Sequence, residues 1–239
     1  MTDKPMLLIL PGWGGSNETW KRFLSLASKD YDASCLDLPC FGDTPCPSTR
    51  WGISEYAQFV VEEMKRRAII KPLLLGHSFG GQIAVRLAAE HPELFSKLIL
   101  VGAAVVRPKF SIRRFLFWCI AKIGHLLFRL PMVEEGSVFA KQLLYRLAAS
   151  PDYLETAGIK RDIFKKVIRE DQRRLLPSIT LPTLVVWGTH DRYTPLRYGK
   201  RIFRLIPHAR LEIIPKGKHG LHIQAPERLL EKIRAFVFL

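Results

Sequence analysis

Acidic residues are scarce in this 239-residue chain. Only 22 Asp and Glu stand against 37 Lys and Arg, which leaves a formal charge of +15. Such an excess reads either as a solvated basic surface that keeps the protein soluble or as a face for an acidic protein, an anionic membrane surface or nucleic acid. The last lacks its own marks: there is no base-reading basic helix, no zinc-finger spacing and no aromatic RNA-binding motif, so no nucleic acid partner is expected. Cysteine is also scarce. Cys35, Cys40, Cys46 and Cys119 form no CxxC pair and suit no structural zinc site. Free thiols in a reducing compartment are the expectation. HExxH, P-loop and GxGxxG patterns are missing, and neither a metal nor a cofactor is expected. The start, MTDKPMLLIL, has no long apolar core of a secretory leader, which points to a cytoplasmic protein. No repeat or low-complexity segment occurs.

What the chain does have is a recurrent alternation. Six short apolar runs, MLLIL (6–10), ASCLDL (33–38), PLLLG (72–76), KLILVG (97–102), TLVVWG (183–188) and RLEIIP (210–215), read as strands covered on both faces. Helical periodicity fills 18–27, 54–68, 80–91, 196–205 and 226–238. In 54–68, Tyr56, Phe59, Val60 and Met64 share one face, and Ser54 reads as its N-cap. Pro92 closes the helix after Ser78, and Pro226 opens the last one. The alternation predicts an α/β fold with a doubly wound, mostly parallel sheet of about six strands.

Residues 107–180 break the pattern. Helix-like segments at 110–131, 141–150 and 161–176 are rich in apolar and basic residues, with 15 Lys and Arg against 7 Asp and Glu between 107 and 180. This region reads as a helical cap inserted into a core of 1–106 and 181–239. Arg113, Arg114, Lys122 and Arg129 interrupt the longest apolar stretch, so it does not reach the ~20 residues needed to span a bilayer. It reads as a helix packed over a cavity, with a helix lying on a membrane surface as the competing reading.

The hexapeptide GHSFGG (76–81) lies between an apolar strand and a helical pattern. Gly76 and Gly80 flank Ser78 two positions to either side, as a sharp strand-to-helix turn requires. Such a turn lifts the Ser78 hydroxyl clear of the sheet end, the G-x-S-x-G nucleophile elbow. A serine hydroxyl needs a base, and the base needs an orienting acid. Asp191 follows TLVVWG and His219 follows RLEIIP, each beyond a separate strand end. The chain order Ser78, Asp191, His219 is that of the elbow type.

Together with LPGWGGSNETW (10–20), DLPCFGDTP (37–45), LLGHSFGGQIAVRLAAEHPE (74–93), WGTHDRYTP (187–195) and GKHGLHIQAPE (217–227), these features resemble the α/β-hydrolase superfamily, in its small capped serine-esterase form. The likeness covers most of the chain outside the cap. It implies Ser78 as nucleophile, His219 as general base and Asp191 as orienting acid. His219 stands seven positions before Pro226-Glu227, the family spacing, which His222 fits poorly. His77 reads as a packing residue. The resemblance also implies an oxyanion hole from the backbone N–H groups of Phe79 and Trp13. Two departures stand out: Pro11 where the family usually has His, and Cys40 where glycine is usual. The expected activity is hydrolysis of a carboxylic ester through an acyl-enzyme, on a small molecule with an apolar acyl or aromatic part. Phe115, Leu116, Phe117, Trp118 and Leu127 could line its pocket or form the cap's own core. Thioester, amide or C–C hydrolysis and acyl transfer are alternatives on the same elbow. A module that binds an acidic carrier protein or an anionic surface through the basic cap is another.

Overall fold

The six apolar runs become six parallel strands: β1 (Met6–Leu10), β2 (Asp32–Cys35), β3 (Leu73–His77), β4 (Lys97–Val101), β5 (Thr183–Gly188) and β6 (Arg210–Ile214). The computed structural model describes residues 4–106 and 156–238. The sheet order is β2-β1-β3-β4-β5-β6, with parallel registers such as Leu8 beside Leu74 and Leu100 beside Val185. Every residue of β3 and β5 is buried, whereas edge strands β2 and β6 bury only their last residue. That is why the central strands read as unbroken apolar runs: both faces are covered.

Alternate residues build two cores. Leu8, Leu10, Leu74, Leu98, Leu100, Val185 and Trp187 face one side, with Tyr56 and Val60 of α2 (Ile53–Arg66), Ile83 and Leu87 of α3 (Phe79–Glu90) and Ile202 from the helix after β5. Leu7, Ile9, Leu75, Ile99, Val101 and Val186 face the other, against Trp20 and Phe23 of α1 (Asn17–Ala27) and Leu229 and Ile233 of the C-terminal helix. Each such fully buried aliphatic side chain contributes about 1.5–3 kcal/mol of transfer free energy. The connection from β1 runs to one edge of the sheet, and the later connections run the other way. The reversal lies between β1 and β3, the place where open α/β sheets leave a crevice beyond the strand ends. Residues 11–15 and Ser78 lie at the two strand ends that flank it.

Some local expectations are corrected. Helix α2 starts at Ile53 with Gly52 as its cap, not at Ser54. The Glu55 carboxylate accepts the Gly52 N–H at 2.7 Å, and Glu170, remote in sequence, accepts the Ile53 N–H at 3.1 Å. The helix expected over 161–176 is divided into α4 (Gly158–Val167) and a 3-10 turn (Arg173–Ser178). Gln82 of α3 reaches the carbonyls of Val167 and Glu170, both at 3.3 Å, and so satisfies the end of α4. Asp171 accepts the Arg173 N–H at 3.0 Å, and the Gln172 N–H turns to the Val105 carbonyl at 3.2 Å. Those bonds replace the next helical turn. Three helices follow β5: α5 (Leu196–Leu205), the short α6 (Leu221–Gln224) and α7 (Pro226–Phe238), of which the first and last have the expected bounds.

The thiol expectation is also corrected. Cys40 and Cys46 form a disulfide, and Cys35 is a buried free thiol whose burial raises its pKa. The chain folds back at 40–46, where the Cys40 N–H donates to the Thr44 carbonyl at 3.1 Å and the two Cα atoms stand 4.1 Å apart, within disulfide reach. The spacing rule for zinc and redox pairs does not register such a turn. Cys40 has φ of 75°, which explains why glycine is usual at this position. The thiols therefore no longer support a reducing compartment. Cys119 and the helices expected at 110–131 and 141–150 lie outside the described residues. Among the described residues, no helix is long and apolar enough to cross a membrane.

Candidate active site

Ser78 sits between β3 and α3 with φ of 50° and ψ of −110°, a conformation L-residues rarely hold. The surroundings enforce it. The Ser78 N–H donates to Val101 O at 3.1 Å, its carbonyl accepts the Ala104 N–H at 2.9 Å, and the Gly80 N–H donates to Pro11 O at 3.0 Å. A Cβ on Gly80 would run into the Leu10 carbonyl, so only glycine lets α3 start this close to β1. Pro11 does not disturb the loop, because the contact it makes with the elbow uses its carbonyl and needs no N–H. At Gly12 the approach is as tight: a Cβ there would lie 2.8 Å from His77 Nδ1 and 3.2 Å from Ser78 Cβ.

Asp191 and His219 come together by the pairing of the loops that follow β5 and β6. The Thr189 N–H bonds Ile214 O at 3.2 Å, His190 N–H bonds Gly217 O at 2.8 Å, and the Thr189 hydroxyl accepts the Lys216 N–H at 2.8 Å. The result is a His219 Nδ1 to Asp191 Oδ2 contact of 2.8 Å, with the Asp191 side chain 1% exposed. A carboxylate this buried needs several donors. Asp191 has them: the Tyr193 and Thr194 N–H groups reach Oδ1 at 2.9 and 2.8 Å, and the Thr194 hydroxyl lies 2.8 Å from Oδ2. With Nδ1–H committed to the carboxylate, His219 is left with Nε2 as a proton acceptor.

The other two imidazoles have different surroundings. His222 stacks on Trp20 at 4.0 Å, and its buried Nδ1 has no partner. Burial, then repulsion from His219, lowers its pKa to about 4. His77 lies 3.1 Å from the His219 carbonyl through Nε2, so that nitrogen carries the proton and donates. Burial first, then the neighbouring histidines, push its pKa well below the ordinary value. Neither has a carboxylate partner among the described residues. Both are neutral when folded and take up protons more readily when unfolded. Stability is therefore complete above about pH 6.5, the unperturbed value, and falls as pH drops toward 4. Thermal midpoints across that window should decline for the wild type, and less steeply for His222→Phe.

Ser78, Trp13 and Phe79 line one cavity of about 160 Å³ with Gln82, Thr194 and the α4 residues Phe164 and Val167. The Trp13 ring meets those of Phe41, Phe79 and Phe164 at 4.9, 5.4 and 4.8 Å. Among the described residues, the backbone N–H groups of Trp13 and Phe79 donate to nothing. The Ser78 hydroxyl likewise makes no hydrogen bond there, to His219 or to any other group. His219 and Asp191 do not line this cavity; Tyr193, which does, stacks its ring on that of His219 at 5.1 Å, and a Cβ on Gly102 would lie 3.3 Å from both His219 Nδ1 and Asp191 Oδ2. Thr194, Gln82 and the α4 residues were not singled out from the sequence. Thr194 had a readable signal, a hydroxyl three positions after Asp191 in DRYTP. No group of three or more His, Cys, Asp or Glu among the described residues is arranged to hold a metal ion.

Comparison with known proteins agrees with this architecture. The chain is 27% identical over 246 residues to an uncharacterized hydrolase, YugF, of Bacillus subtilis, covering 97% of this chain and 89% of that protein. It is 26% identical to the pimeloyl-(acyl-carrier protein) methyl ester esterase of Vibrio atlanticus, covering 97% and 94%. Among solved structures, a bacterial membrane phospholipase A shares the fold with a TM-score of 0.77 at 23% identity, covering 100% of this chain and 80% of that one. The pattern described as the alpha/beta hydrolase family matches residues 7–232, and the chain belongs to that family.

Proposed function

We propose that the protein is a serine hydrolase that cleaves carboxylic esters, with Ser78 as nucleophile, His219 as general base and Asp191 as the acid that orients it. The observation that carries this reading is the buried Asp191–His219 contact at 2.8 Å, together with a strained Ser78 whose hydroxyl is uncommitted. Apo hydrogen bonds between nucleophile and base are often long and tighten when substrate binds. In the reaction His219 Nε2 takes the Ser78 proton as Oγ attacks the ester carbonyl. The negative oxygen rests on the two uncommitted N–H groups, Trp13 and Phe79. His219 then returns the proton to the leaving alcohol. A water activated by the same imidazole releases the acid and restores Ser78. On this reading 107–180 acts as the cap over the site, and α4 contributes Phe164 and Val167 to its roof.

The cavity is lined mainly by apolar side chains, with Ser78, Gln82 and Thr194 as polar members, and at about 160 Å³ it is smaller than the roughly 300 Å³ at which drug-sized pockets begin. A short acyl group fits it. Over a series of p-nitrophenyl esters, kcat/KM should be highest for acetyl to butyryl and should fall for long chains. A rate rising steadily to dodecanoyl would contradict the assigned acyl site. Thioester, amide and C–C bond cleavage or acyl transfer use the same groups, and competing thioester and amide substrates in the same assay rank them against esters.

A further inference from the structure

Thr194 stands where three strand-end loops meet. Its buried hydroxyl lies 2.8 Å from Asp191 Oδ2, 3.0 Å from the Gly102 carbonyl just beyond β4, and 3.3 Å from His219 Nδ1 on the loop beyond β6. Its backbone is held from both sides. The Thr194 N–H donates to Asp191 Oδ1 at 2.8 Å, and its carbonyl accepts the buried Trp187 indole N–H at 2.6 Å. The hydroxyl is thus fixed by covalent and hydrogen-bonded structure on every side, and it carries one proton to give. His219 Nδ1 needs its own proton to bond Asp191, so it presents no lone pair to Thr194. The Thr194 proton therefore goes to the nearer and charged acceptor, Asp191 Oδ2, rather than to Gly102 O, while Oγ1 remains a second, longer acceptor for the His219 N–H.

We infer that Thr194 is a positioning residue: its hydroxyl holds the Asp191 carboxylate against His219 Nδ1 and shares the carboxylate's charge, so that the ring faces the Ser78 cavity in one orientation and one tautomer. The inference rests on the serine-hydrolase reading above and adds to it a side chain that acts through Asp191 and His219. Among the described residues, the groups around the His219 ring are the Asp191 carboxylate, the Tyr193 ring, and the His77 and His222 imidazoles. Burial keeps both of those imidazoles neutral near pH 7, so Asp191 is the one charge among them. Removing the Thr194 donor leaves more of that charge acting on the imidazolium formed during turnover. The imidazolium is then held more firmly, and the base becomes available only at higher pH.

The test compares wild type with Thr194→Val, which keeps the shape, and Thr194→Ser, which keeps the hydroxyl. Each is assayed with p-nitrophenyl acetate over a full pH range, with thermal midpoints measured alongside. A hydrogen bond to a charged group is large enough that Thr194→Val should lose about tenfold in kcat. KM should stay near wild type, the acidic limb of the kcat/KM profile should move to higher pH, and Thr194→Ser should restore both. Two results overturn the inference: a Thr194→Val profile that matches wild type, or equal losses in both variants with the acidic limb unmoved, which is the mark of packing alone. The rate of labelling by a fluorophosphonate, followed against pH in the same variants, separates this from the choice of substrate. If Ser78 is labelled but no ester is turned over, the ester reading fails, and the labelling profile of Thr194→Val still decides the role of Thr194.

Discussion

Ser78→Ala should reduce ester turnover by about a millionfold, to the residual rate that binding and the oxyanion donors support. The fold should survive, because the hydroxyl makes no hydrogen bond among the described residues and its loss leaves no buried partner unpaired. The strain at φ of 50° belongs to the backbone and is imposed by the bonds of Ser78 to Val101 and Ala104, which alanine retains. A thermal midpoint near that of wild type with turnover gone separates chemistry from folding. Equal turnover in the variant would remove Ser78 from the mechanism.

Asp191→Asn is the second large effect, and it differs in kind. The carboxylate accepts from two backbone N–H groups and from His219, with the Thr194 hydroxyl beside it, and it is closed off from water. An amide has one oxygen and must turn its NH₂ toward a donor. If the oxygen keeps the two backbone bonds, the NH₂ faces His219 and forces the proton to Nε2, the wrong tautomer for a base. The expected loss in kcat is about 10⁴-fold. Because a buried hydrogen-bond set is also broken, stability should fall by about 1–3 kcal/mol, measurable as a lower denaturant midpoint. Loss of stability with unchanged kcat would reduce Asp191 to a loop-building role.

The strands were legible because both faces of β1, β3, β4 and β5 are covered, so their apolar runs are continuous. Even edge strand β6 kept enough apolar residues, Leu211, Ile213 and Ile214, to be found. Asp191 and His219 could be found because each falls just beyond a strand, where a parallel sheet gathers its loop ends. What escaped depends on partners distant in the chain. The first turn of α2 is completed by Glu170, which accepts the Ile53 N–H, and the break after α4 is completed by Gln82 and the Val105 carbonyl. No local pattern around Ser54 contains Glu170, and none in 161–176 contains Gln82 or Val105. The Cys40–Cys46 bond depends on a fold-back between them that composition does not register. Thr194 lies between these cases: its spacing from Asp191 is visible, but its reach to Gly102 and His219 is a tertiary fact.

The central claim is that Ser78 carries the covalent intermediate. Its most direct test is peptide mass mapping of the wild-type protein after reaction with a fluorophosphonate. The account predicts one equivalent of phosphonyl group on the peptide that contains Ser78, with no incorporation when the protein is unfolded first or when Ser78→Ala is used. An unmodified Ser78 in protein that still turns over esters, or a label carried on another residue such as Tyr193, would contradict it.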